Sequence, residues 1–311
     1  MTPLPAIATY RLAAVHALLR NDTAVYTALS AIPGVGLNPS LPSKQDDLFG
    51  DLSDLASTGC TALHVLIQRS DTPPSIPNSL PTQHVNALNA NGESVLLMAV
   101  KAGHTANVRT LCDAGADPNT SPTSKQDTAS PLMEAAYNGN TTMVETLLSA
   151  GTNPNYQRTH KNGSHDDSTA LSLASSNNHT DIVRLLLDAG ADPNTSPTMQ
   201  DGKKDDTSPL MWPIMWPKIN TAMVKLLLSA GADPNYTSTH CHGDPLDCDA
   251  LHVACYLWFL NAVRVLCDAG SDPNRSLAFC ARHRPWRFVS ALVNAGADPF
   301  RVDAQDQTVL E

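Results

Sequence analysis

The densest concentration of chemically able side chains is TSTHCHGDPLDCDALHVAC, from Thr237 to Cys255. It holds His240, Cys241, His242, Asp244, Asp247, Cys248, Asp249, His252 and Cys255. Two chemistries would use such a set. Thiolate and imidazole ligands could hold zinc, which prefers two cysteines or two histidines separated by short fixed spacings. Imidazole and carboxylate groups could also move protons, with His240, His242, Asp244 and the more distant His283 as first candidates. The spacing is poor for zinc, because six residues separate Cys241 from Cys248 and only one separates His240 from His242. His240, His242, Cys241 and Cys248 therefore remain weak metal candidates, and no metal site or catalytic set is assigned.

The elements that would position these groups are written as a repeat. AGADPN stands at 114–119, 189–194 and 230–235, AGTNPN at 150–155, AGSDPN at 269–274 and AGADPF at 295–300. Each follows an amphipathic run such as IVRLLLD at 182–188. The Gly after the run is a helix stop, and Asp-Pro-Asn makes a turn. Upstream lie Thr61-Ala-Leu-His, Ser130-Pro-Leu-Met, Thr169-Ala-Leu-Ser, Ser208-Pro-Leu-Met and Asp249-Ala-Leu-His. A hydroxyl or carboxylate followed by Pro or Ala is an N-cap and a good first helical residue. From cap to closing residue each core takes 26 positions: 61–86, 94–119, 130–155, 169–194, 249–274 and 275–300; only 208–235 takes 28. The loops between cores vary from none to 13 residues.

This pattern resembles the ankyrin repeat, with its Thr-Pro-Leu-His start, two antiparallel helices and Gly-Ala-Asp close. The resemblance covers roughly residues 58–311. It implies an all-α solenoid of stacked helix-turn-helix units with long β-hairpin or loop fingers. It also assigns His64 and His252 a structural hydrogen-bonding role. Residues 1–57 are expected to form a degenerate N-terminal capping repeat and loop. Residues 301–311 are a partial unit, with no further domain expected.

A longer period of 80 residues overlies the first, since YQRTHKNGSHDDSTALSLA at 156–174 returns as YTSTHCHGDPLDCDALHVA at 236–254. Opposite Cys241, His242, Cys248, His252 and Cys255 stand Lys161, Asn162, Ser168, Ser172 and Ser175. The fold does not require the potential ligands, and a solvated finger is the simpler reading of 237–248. Cys112, Cys255 and Cys267 sit in helical, apolar contexts and read as reduced core residues.

Two units break the plan. Pro73, Pro74, Pro77 and Pro81 cannot share a helix interior, so 69–86 is expected to be extended. Trp212-Pro213 and Trp216-Pro217 fall where the first helix of 208–235 should run, predicting a short, distorted helix. The resemblance puts first helices and hairpin tips on a concave binding face. That places Tyr137, Asn138, Trp212, Met215, Trp216, Tyr256, Leu257, Arg282 and His283 on or near it. Trp, Tyr and Arg dominate binding hot spots. The same rings would also serve to fill space left by the distorted helix, and the two readings stay open. Trp258 stands where the family's helix-ending Gly is usual.

The 311 residues carry a formal charge of −10, which argues against nucleic-acid backbone binding. No stretch is long and apolar enough to span a membrane, and the N-terminus lacks a secretory pattern. The expected protein is a monomeric, cytoplasmic or nuclear interaction scaffold or adaptor without cofactors. Asp244, Asp247 and Asp249, in a loop without Lys or Arg, suit a protein partner with a basic patch. Two alternatives stand beside it. One is an enzyme or small-molecule-binding protein using a pocket at 208–220. The other is a substrate adaptor of a ubiquitin ligase.

Overall fold

A helix of seven residues cannot hold itself together in water, so these short segments must be stabilised by burial against neighbours. In the computed structural model, residues 64, 85–89, 91–120, 129–157, 169–195, 208–215, 219–237 and 248–300 are described. They contain twelve helices, taken here as six pairs. Contacts divide the chain into two units, Met1–Asn153 and Pro154–Glu311.

In the first unit α1 (Val95–Lys101) and α2 (Thr105–Asp113) form one pair, α3 (Pro131–Tyr137) and α4 (Thr141–Ser149) the next. The second unit holds α5 (Ala170–Ser176) with α6 (Thr180–Asp188), α7 (Trp212–Met215) with α8 (Thr221–Ser229), α9 (Ala250–Tyr256) with α10 (Leu260–Asp268), and α11 (Asn274–His283) with α12 (Trp286–Asn294). Within each unit first helices stack on first helices and second helices on second helices. This is an all-α repeat architecture, as the periodicity implies.

The first helices α1, α3, α5 and α9 are buried almost all round, whereas α11 buries only Ser276, Leu277 and Cys280. Val95, Leu96, Leu97, Ala99 and Val100 of α1 are at most 1% exposed. The fifth position after the cap is Ala99, Ala135, Ala174 or Ala254, a side chain small enough for close approach of the next helix. Second helices bury one stripe, such as Ile182, Val183 and Leu186 of α6, and leave the opposite face in solvent.

The caps follow the sequence. Ser94, Ser130, Thr169 and Asp249 each accept a hydrogen bond from the backbone N–H three residues on. Thr169 and Ser172 complete a reciprocal capping box. Second helices close on a left-handed Gly: at Gly190 φ is 88°, and Ala191 N–H reaches back to Leu186 C=O at 2.9 Å.

Two expected starts differ. Ser208 does not cap a regular helix; residues 209–211 form turns, and the Ser208 hydroxyl is buried without a partner. At the last pair no cap hydroxyl exists, and α11 begins at Asn274, straight from the preceding turn. Of the Pro-rich segment 69–86 only its end is described, where Val85 is helical and buried rather than extended.

The pairs are joined by a device the residue count does not show. The closing Asn of each core reaches into the next one. In the first unit Asn86 donates to Gly115 C=O at 3.3 Å and accepts from Asp117 N–H at 2.7 Å, and Asn119 donates to Gly151 C=O at 3.2 Å and accepts from Asn153 N–H at 2.8 Å. In the second unit Asn155, Asn194 and Asn235 do the same to Gly190 and Asp192, Gly231 and Asp233, and Gly270 and Asp272. At the last junction Asn274 keeps only the acceptor bond, from Asp298 N–H at 2.8 Å, and turns its amide to Asp272.

Candidate protein-binding surface

Because α1, α3, α5 and α9 bury their bodies, it is mainly the last turn and the reversal after it that reach solvent. Tyr137 ends α3 and is 54% exposed, with Asn138 exposed beside it. In the second unit Tyr256 takes the same place at the end of α9, 45% exposed, and Leu257 is half-buried. Arg282 and His283 are exposed in the last turn of α11.

The distorted pair is explained by its prolines. α7 has four residues, and Pro213 occupies the position held by Ala in α1, α3, α5 and α9, where it has no N–H to give to the residue 209 carbonyl. In the pairs α1–α2, α3–α4, α5–α6 and α9–α10 a backbone bond links the second-helix cap to the fifth position of the first helix, five residues back, as in Asn140 N–H to Ala135 C=O. Here Asn220 N–H bonds Pro213 C=O at 3.0 Å, seven residues back. The two extra residues of this core therefore lie between Pro213 and Asn220, and the second helix resumes in register. Trp212 and Met215 are half-buried, so Trp212 both fills space and meets solvent. Trp216 lies outside the described residues.

The reversals after α1, α3, α5 and α9 each turn on a left-handed residue. Gly103, Gly139 and Asn178 supply it, with φ of 76°, 74° and 61°. In the pair α9–α10 the residue is Trp258, φ 68°, a conformation costly for a bulky side chain. Its ring is engaged. The Arg284 guanidinium lies 4.8 Å from the ring centroid, and Phe288 meets it edge-on at 6.2 Å. Arg284 itself is anchored, with Nε donating to Cys255 C=O at 2.8 Å and an Nη to Tyr256 C=O at 2.7 Å. These are carbonyls of the last turn of α9, where a cation is favoured by the helix dipole. The guanidinium also covers Phe279 at 4.8 Å and Tyr256 at 5.7 Å. Phe279 in turn meets His252 at 4.7 Å and His283 at 5.2 Å between centroids. Repeat position alone does not mark Arg284, Phe279 and His252 as surface residues. The available signal was FCARHRPWRF, rings interleaved with cations in a stretch, 273–297, that contains no acidic residue.

The metal and proton-transfer candidates fare differently. His240, Cys241, His242 and Asp244 lie outside the described residues. Cys248 is buried, and among the described residues no group of three or more His, Cys, Asp or Glu is arranged to hold an ion. The expectation of core cysteines holds for Cys255 but not for Cys112 and Cys267, which are only half-buried. Desolvation still pushes both thiols up to about 11, so neither is a thiolate nucleophile at neutral pH. His64 plays the structural part assigned to it, with Nε2 3.2 Å from Glu93 C=O next to the following cap.

Asp249 is a correction to the acidic finger. It is 1% exposed, with one oxygen spent on the His252 N–H at 2.7 Å, so it cannot greet a basic partner. Its second oxygen has no hydrogen bond and lies 3.7 Å from an Arg275 nitrogen. Desolvation raises its pKa, while the His252 N–H and Arg275 pull the other way. A carboxyl whose folded pKa lies above its unfolded value opposes folding at neutral pH, and the penalty fades as pH falls through the folded pKa. Replacing Asp249 with Ser, the cap residue at positions 94 and 130, keeps the cap and removes the unpaired oxygen. Urea titration should show a gain of about 1 kcal/mol at pH 7, shrinking towards acid. A loss at pH 7 would mean that the Arg275 pairing outweighs the buried charge.

Against known proteins, a family model of ankyrin repeats in three copies matches residues 63–158 and 132–238. These matches cover more than half of the chain, and the chain belongs to the ankyrin repeat family. Among solved structures, the crystal structure of the human ASB11 ankyrin repeat domain is similar, with 20% identity and a TM-score of 0.48, covering 70% of this chain and 90% of that one. No curated protein sequence matches significantly. Ankyrin repeats are generally protein–protein interaction modules. Among the described residues no helix is long and apolar enough to cross a membrane.

Proposed function

We propose that the chain is a non-enzymatic scaffold or adaptor that binds a protein partner along its first-helix ends and the adjoining reversals. Tyr137 and Asn138 supply this surface in one unit; Trp212, Met215, Tyr256, Leu257, Arg282 and His283 supply it in the other. The observation that carries the reading is the exposure of large rings at one fixed place in the repeat. Tyr137 and Tyr256 end their helices with about half their area in solvent, where Lys101 and Ser176 stand in other pairs. The core does not need those rings, and exposed aromatic side chains beside cations are the usual material of binding hot spots.

The test is capture of protein partners on the full chain, followed by titration of the captured partner. Tyr256→Ala, checked for unchanged helicity by circular dichroism, is expected to weaken that partner about tenfold. Unchanged affinity would remove the α9 end from the surface. Capture of a small molecule in place of any protein would favour the pocket at 208–220 instead.

A further inference from the structure

The chain as a whole is acidic, yet residues 273–297 carry Arg275, Arg282, Arg284 and Arg287 and no Asp or Glu. The other sixteen Lys and Arg lie elsewhere in the chain, but in this stretch no carboxylate is interleaved with the cations. Arg282, His283 and Arg287 are exposed on the last pair, and Arg284 is half-buried between that pair and the end of α9. Arg275 is paired with the carboxylate of the buried Asp249. Around Arg284 the rings of Tyr256, Trp258 and Phe279 present apolar area, with His252 and His283 on the flanks of Phe279. Trp258 is 50% exposed and Trp286 67%.

We propose that this surface, formed by the end of α9, the reversal at Trp258, α11 and the start of α12, binds an acidic segment of a protein partner. Carboxylates would meet the guanidinium groups, and apolar side chains between them would lie on the rings. The proposal rests on the protein-binding reading above and adds the chemistry of the partner. Three features favour it. Guanidinium groups match carboxylates in geometry as well as charge, and three donors of Arg284 are already fixed on the Cys255, Tyr256 and His283 carbonyls, so little freedom is lost on binding. A cationic patch on an anionic chain steers an acidic segment to one place and repels it elsewhere. A long polyanion would instead feel the net charge of −10 beyond the patch, whereas a short peptide is governed by fields within about 10 Å. Nucleic acid is therefore the disfavoured occupant.

The probe is a fluorescein-labelled peptide alternating glutamate with phenylalanine, titrated with the full chain and read by anisotropy. Controls are the same peptide with lysine for glutamate, and a labelled oligothymidylate. The variant is Arg282→Glu with Arg287→Glu, two exposed positions, since changing Arg284 would disturb the fold. Circular dichroism checks that the variant retains wild-type helicity. The expected results are binding of the glutamate peptide alone, about tenfold or greater weakening in the variant, and weakening as salt rises from ~50 to ~300 mM. Equal binding of the lysine peptide, an unchanged variant, or tighter binding of oligothymidylate would overturn the assignment. If it falls while Tyr256→Ala still releases the captured partner, the partner chemistry alone is wrong. If both fail, the protein-binding reading of this face goes with it.

Discussion

Arg284→Ala is expected to lower the stability of the last two helix pairs by about 3 kcal/mol. The figure combines two charge-assisted bonds with the loss of guanidinium stacking. Nε donates to a half-buried carbonyl at 2.8 Å and an Nη donates to a more exposed one at 2.7 Å. The guanidinium also covers Trp258, Phe279 and Tyr256 within 6 Å. The Tyr256 carbonyl would lose this donor, and Trp258 would keep its left-handed backbone without the cation over its ring. Arg284→Lys should recover about 1 kcal/mol at most, because an ammonium cannot fork to two carbonyls at this geometry. In a repeat array the damage stays with nearest neighbours. Hydrogen exchange should therefore accelerate in α9, α11 and α12 and stay unchanged in α1–α4. A change below about 0.5 kcal/mol by chemical denaturation would show that the clamp is decorative.

Asn194→Ala should cost about 2 kcal/mol. It removes the donor to Gly231 C=O at 2.9 Å and the acceptor for Asp233 N–H at 2.7 Å, both in the following repeat. Asn194→Asp keeps the acceptor, loses the donor and sets a carboxylate against a carbonyl, so it should lie between Ala and wild type. The internal control is Asn274→Ala, where one cross-repeat bond exists instead of two, and about half the loss is expected. Equal losses at the two positions would attribute the effect to local turn propensity, since both side chains follow the same Asp-Pro turn.

What the sequence discloses is what lies within one unit. Ser94, Ser130, Thr169 and Asp249 are readable as caps because their partners lie three residues away. The disturbance at 208–220 is readable because proline has a local steric consequence, and the count of 28 gives the size of the insertion but not its place. The place follows only from the bond between Asn220 and Pro213. The closing Asn is conspicuous as a letter, yet its role is hidden, since both partners are backbone groups of another unit and backbone carries no sequence signature. Arg284 is hidden for the same reason. His283 and Arg282 are found by their position in the repeat, while Phe279 and Arg284 become surface residues only when α11 lies beside α9. Asp249 misleads because an aspartate in a polar stretch looks solvated until the helix it caps is in place.

Every full coupling in the Asn series uses the same plug and the same socket: one carboxamide on the trailing edge, one carbonyl and one amide on the leading edge. Such a joint is indifferent to which copy supplies each half. A block of two repeats copied by unequal crossover can be spliced into the array without any new interface having to be invented, and the 80-residue echo between 156–174 and 236–254 has the form of such an event. Once spliced, the copy is held by a standard fitting while its finger is free to drift. That is why Lys161 and Asn162 can stand opposite Cys241 and His242 while the helices after the two fingers, Ala170–Ser176 and Ala250–Tyr256, keep the same spacing. For this chain the joint acts as a unit of inheritance, separating the part that must stay constant to be stacked from the part that can be rewritten for a new partner.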